Sequence, residues 1–115
     1  MPFADRCQRA IGALLPFAAL AADGVPAPVV AQGWRGGRRQ ALLARLLVGC
    51  HVEGLDDHQA RAVGSLAARA GTPDVVDACV VEGALRRHDL VVSSDSDDLA
   101  AIATAIGRRL ELERP

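Results

Sequence analysis

Lysine and tyrosine are absent from the chain, and aromatic rings are confined to Phe3, Phe17 and Trp34. The core must therefore be built from Ala, Val, Leu and Ile. All 13 basic residues are Arg, a composition bias that by itself carries no functional information. Cysteines are few, odd in number and far apart (Cys7, Cys50 and Cys79), with no CxxC spacing. His51, His58 and His88 are equally scattered, so neither a disulfide frame nor a zinc site is indicated. The apolar stretch from Ile11 to Ala22 is interrupted by Pro16 and falls short of the roughly 18–20 residues that span a bilayer. Arg6 and Arg9 precede it as in a signal peptide, but Asp5 lies in the would-be basic region; no membrane partner and a cytoplasmic location are expected. An excess of one charge is missing too. The formal net charge is -1, which gives no general support for a nucleic-acid partner.

What is present is an apolar fraction of 50% in 115 residues. That suffices for one small core and argues against disorder, so residues 1–115 are expected to form a single domain. The pattern predicts a helix over 4–22, divided near Pro16, then a short extended piece over 25–29 held by Pro26 and Pro28. A helix over 29–48 is expected in two parts, broken at Gly36 and Gly37, with Leu42, Leu43, Leu46 and Leu47 at helical spacing. Cys50 to Glu53 reads as a strand. Asp56 or Asp57 then caps a helix carrying Ala60, Val63, Ala67 and Ala70. Thr72 is placed to cap the next helix, with Pro73 at its first position, and this helix runs to about Arg87. Leu90 to Ser93 is a β-rich run, Asp95 or Ser96 starts a further helix, Gly107 stops it, and Leu110 to Glu113 is a final strand. Strands alternating with helices through short joins predict an α/β domain with a mainly parallel sheet.

Two acidic clusters carry the chemistry. Asp74 and Asp77 are three apart and project about 60° from one another near a helix start. Asp95, Asp97 and Asp98 directly follow the strand 90–93, where open α/β sheets place their ligands. If the clusters meet, their carboxylates suit a hard cation such as Mg2+ or Mn2+, which can activate water against a phosphodiester. A purely structural reading stands beside this one. Acids in a helix's first turn complement the macrodipole, and Asp95 with Asp98 has the form of a cap and its box partner.

A specific pattern runs through these residues. Asp77-Ala78-Cys79-Val80-Val81 is followed by a helix end rich in Ala, Leu and Arg, then by Val91-Val92-Ser93-Ser94-Asp95 and Asp98-Leu99. It resembles PIN domains, which carry an Asp on a late helix and, about eighteen residues on, a hydrophobic strand ending in Thr or Ser, a variable residue and an acid. The segment Gly71 to Ala78, together with Pro28 to Gly37, is similar to the toxin ribonucleases of the VapC kind from actinobacteria. The resemblance implies a PIN-like three-layer α/β domain and an endoribonuclease that depends on Mg2+ or Mn2+, with RNA as substrate. An antitoxin protein or a second copy of the chain is the implied partner. By resemblance Asp77 and Asp95 are the catalytic metal ligands, and Asp74 and Asp98 are accessory acids in the same motifs. Two departures are expected to matter. The family's opening strand, which lies centrally in the sheet and ends in an Asp, has no counterpart before Asp5, so the domain reads as N-terminally truncated. The family's helical Glu also falls at Gln32, whose amide is a poorer ligand for Mg2+. Activity of the chain as it stands is therefore open, the alternative being a dead remnant that only binds a partner.

Other features are weaker. Arg35, Arg38 and Arg39, around two glycines, could contact RNA phosphate through their forked guanidinium groups, or simply be solvated at a helix start. Arg86-Arg87 and Arg108-Arg109 suit helix C-termini. Trp34 is expected as a buried anchor, Ser93 and Ser94 as turn hydroxyls, and His88 as an exposed loop residue.

Overall fold

Glycines and short polar side chains set most of the boundaries in a computed structural model that describes residues 19–21, 24–34 and 36–114. The chain forms β1 (Ala19–Ala21), β2 (Val25–Pro26), α1 (Ala27–Gly33), α2 (Arg38–Leu47), β3 (Val52–Glu53), α3 (Asp57–Ala70), α4 (Val75–Arg87), β4 (Leu90–Ser93), α5 (Ser96–Ala105) and β5 (Glu111–Glu113). The expected α/β class is found. Its strands form two small sheets: β1-β4-β5, with β4 in the middle, and β2-β3. Pairing is parallel for β4 with β5 and for β2 with β3, and antiparallel for β1 with β4.

Most of the expected helix over 4–22, with its apolar face, lies outside the described residues. Its last part is corrected: Ala19–Ala21 is a strand, with Ala19 opposite Ser93 and Ala21 opposite Val91. Pairing with β4 satisfies that strand's backbone groups and outweighs the helix propensity of Ala and Leu. The extended piece expected over 25–29 is also shorter than anticipated. Pro26 is the extended N-cap of α1 and Pro28 lies in its first turn, where a missing N–H costs nothing. The break at Gly36 and Gly37 is as expected, with φ of 78° and 93°.

Gly24 shows why β2 can approach β3. A Cβ there would lie 2.6 Å from the His51 carbonyl oxygen, which accepts from the Val25 N–H at 2.8 Å. Asp56 caps α3 by accepting from the Gln59 N–H at 2.8 Å. At the other end Gly71 turns left-handed, φ 70°, and the Thr72 N–H closes on the Ala67 carbonyl at 3.0 Å. For α4 the cap is Asp74, rather than Thr72 two residues earlier. The Asp74 carboxylate accepts from the Asp77 N–H at 3.0 Å, while the Thr72 hydroxyl accepts from the Asp74 N–H at 3.1 Å. A charged acceptor serves a helix N-terminus better than a hydroxyl.

Val80, Val81, Ala84, Val91, Leu99, Ile102 and Ala103 pack with Val25, Val29, Leu43 and Leu66 as the main core. Each buried Val adds roughly 1.5–3 kcal/mol. A smaller cluster of Val63, Ala67, Ala78 and Cys79 seals α3 onto α4. Beyond the core, Glu53 of β3 accepts from Arg86 at 2.9 Å, from Gln59 at 3.0 Å and from Arg87. Burial raises the Glu53 pKa, but the Arg86 and Gln59 hydrogen bonds and the Arg87 charge more than offset this and hold it below the usual value. Trp34 is not the buried anchor expected. It follows α1 as its C-cap and is 48% exposed, while the buried apolar face of α1 is carried by Val29.

His88 is exposed as expected, but it ends α4 in the left-handed region at φ 58°, a conformation costing an L-residue about 1–2 kcal/mol. His88→Gly should therefore raise stability by about 0.5–1 kcal/mol after the added chain entropy of glycine is counted. Urea unfolding measures this, and a lower midpoint in the variant would contradict the assignment.

Candidate metal centre

The two acidic clusters come together because α4 packs against α5, the helix that follows β4. Asp77 sits in the first turn of α4, and Asp95 is the N-cap residue of α5 just after β4. One carboxylate oxygen from each of Asp77, Asp95 and Asp98 lies within 4.8 Å of the others. Oxygen ligands of an octahedral ion with bonds near 2.1 Å stand roughly 3–4.2 Å apart. The separation is therefore within small side-chain adjustments of what Mg2+ or Mn2+ requires. Asp77 is 6% exposed, Asp95 half-buried and Asp98 exposed, so the cluster has a closed inner end and an open outer end.

Beside the cluster is a cleft of about 300 Å³ lined by Thr72, Asp74, Asp77, Asp98, Ala101 and Ile102, with Ala70 at its edge. Asp74 thus faces the same space but stands outside the converging trio, with one oxygen engaged as the α4 cap. The purely structural reading of Asp95 and Asp98 as a capping box does not describe what is found. Asp95 makes no side-chain cap bond, and its own N–H is taken by the Ser93 hydroxyl at 2.9 Å rather than by Asp98. Ser93, fully buried, is the turn hydroxyl expected, and it fixes the backbone that presents Asp95.

Electrostatics at the cluster are unfavourable to three bare carboxylates. Burial raises the Asp77 pKa to about 7, helped by the charges of Asp74 and Asp95, a hydrogen bond with Asp74 and the charge of Asp98. Asp95 is raised as well, first by burial and then by its hydrogen bond with Asp98 and the Asp98 charge; a hydrogen bond with Asp77 acts in the opposite direction. A divalent cation relieves this repulsion directly. By contrast, burial and the neighbouring Glu82 push the Cys79 thiol up, which keeps it protonated and unsuited to nucleophilic work.

Of the remaining sequence candidates, only Gln32 has a described side chain. Gln32 is exposed on α1 and does not line the cleft. Arg35 lies outside the described residues; Arg38 and Arg39 open α2, and their side chains lie outside the description. Sequence reasoning missed Ala101 and Ile102 as the cleft's apolar wall. Their spacing from Asp98, three and four residues on, was the available signal. Among the described residues, no helix is long and apolar enough to cross a membrane. Comparison of the chain with family models, with curated proteins and with solved structures returns no match.

The Asp77 shift has a consequence for stability. An exposed aspartate loses its proton near pH 4, whereas folded Asp77 keeps it to about 7. The folded state binds more protons across that window, so without metal its stability falls as pH rises from about 4 through about 7. Asp77→Asn should flatten the fall in the melting temperature, measured in chelator. An equally steep fall in the variant would contradict the assigned cause.

Proposed function

We propose that this protein is a PIN-type endoribonuclease of the toxin class, dependent on Mg2+ or Mn2+, with RNA as substrate and an antitoxin or a second copy as protein partner. The observation that carries the reading is the convergence of Asp77, Asp95 and Asp98, on the same motifs that resemble the family. A bound divalent cation would supply an activated water and charge neutralisation for a phosphodiester under attack. Asp77, Asp95 and Asp98 would hold it. Asp77 would give up its proton on binding, and its burial would hold it on the closed side. Asp74 and Thr72 border the cleft where the substrate backbone would enter. The PIN-like three-layer arrangement is part of the same proposal, supported by the parallel β4-β5 pair and by helices α4 and α5 that start at the acidic site.

One observation favours the second reading, a remnant that binds only a partner protein. Gln32, in the family's helical Glu position, does not border the cleft, so that position adds no carboxylate to the trio.

Incubation of a long single-stranded RNA with the protein and Mg2+ or Mn2+ tests the nuclease. Cleavage is expected, and Asp77→Ala and Asp95→Ala should each reduce it by on the order of 100-fold or more, because even outer partners of metal ligands cost about 10–100-fold. Equal cleavage by all three proteins would remove the assignment, and no cleavage by any of them would favour the binding-only reading.

A further inference from the structure

A second recess is lined by residues of α3, of α4 and of the turn after α5. It has a volume of about 260 Å³, and its wall includes Ser65, Arg69, Glu82, Leu85, Arg86 and Arg108. Within it Glu82 and Arg86 neutralise one another through a 3.0 Å contact, and Arg86 also reaches Glu53 at 2.9 Å. Arg69 and Arg108 make no ion pair among the described residues, and both are exposed. The recess therefore carries an excess of two positive charges on a chain whose net charge is -1.

All three cations of the recess stand at the C-terminal ends of helices. Arg69 lies in the last turn of α3 and Arg86 in that of α4, where cations offset the C-terminal dipole. Arg108 lies in the turn that closes the C-terminal end of α5. It follows Gly107, whose left-handed φ of 73° turns the chain away from α5, and its N–H is tied to the Ala103 carbonyl at 2.9 Å. This turn brings a third guanidinium to a recess between two other helices. Arg69 and Ala70 are consecutive, and Ala70 lines the acidic cleft; the C-terminal end of α3 thus contributes to both recesses.

We propose that the recess of Arg69 and Arg108 binds phosphates of a single-stranded RNA backbone flanking the bond presented to the acidic cleft. The inference rests on the nuclease reading for its choice of polyanion. Guanidinium forks fit phosphate oxygens, and backbone contacts of this kind hold a strand in register without reading its sequence. Ser65 adds a hydroxyl on the same wall.

The test is fluorescence anisotropy of a labelled single-stranded oligoribonucleotide with the full chain in EDTA, which stops metal-dependent cleavage and metal-bridged contacts. Arg69→Gln/Arg108→Gln is compared with Arg45→Gln/Arg61→Gln, which removes the same charge elsewhere; thermal melts verify that both fold. The groove variant should bind about tenfold more weakly, and its slope of log K against log salt should shrink by roughly 1.4, or 0.7 for each lost contact. The control should match wild type. No binding by wild type, unchanged binding by the groove variant, or an equal loss in the control would each overturn the proposal. Metal-dependent cleavage is scored separately. Groove-dependent binding without any cleavage removes the nuclease and keeps the groove, whereas Asp77-dependent cleavage with unchanged groove-variant binding removes the groove alone.

Discussion

The burial of α4 is the constraint on which the remaining structure depends. From Ala78 to Ala84 this helix is almost wholly apolar, with Ala78, Cys79, Val80, Val81, Gly83 and Ala84 all buried. It must therefore be covered on several sides, and it contacts α3, α5, α1 and β1. Asp77 is the residue immediately before that run and is carried into the interior with it. A carboxylate in such a place costs free energy unless it keeps its proton or meets a cation. The packing of the core and the chemistry of the acidic site are thus one fact seen from two sides.

The position of β4 adds the second half. Val91, Val92 and Ser93 are buried between β1 and β5, so the chain leaves the sheet at a fixed point and turns at once into α5. The Ser93 hydroxyl holds that turn, and Asp95 and Asp98 arrive beside Asp77 from the start of α5. Two helices that begin at the acidic cluster also aim their positive ends at the same region. The acids complement those ends, yet Asp77 and Asp95 both remain shifted upward, first by burial and then by their acidic neighbours. Buried acids held this close are relieved either by keeping a proton or by meeting a cation.

How far the sequence disclosed this differs by element. The strand Leu90–Ser93 and the starts of α3 and α5 were legible because a capping residue and an apolar period agree there. So was the break at Gly36 and Gly37. Thr72 and Pro73 misled by two residues because a hydroxyl cap and a carboxylate cap compete over the same turn, and only the structure decides between them. Pro26 and Pro28 read as an extended segment although proline is equally at home in a helix's first turn. The strand Ala19–Ala21 carries no β signal of its own and exists through pairing with β4, a long-range interaction that local pattern cannot reveal. At the site, the spacing of Asp77 and Asp95 singled out two of the three carboxylates that converge. That Asp98 joins them while Asp74 is committed to capping depends on helix orientations, which the spacing does not contain.

The acidic trio as a divalent-cation site is most directly tested by calorimetric titration of the full chain with Mn2+ at about pH 6, in two buffers of different ionisation enthalpy. Saturable binding is expected, with proton release to the buffer because Asp77 is largely protonated at that pH, and both should be lost in Asp77→Asn. Absence of saturable binding, or binding that Asp77→Asn leaves unchanged, would contradict the assignment.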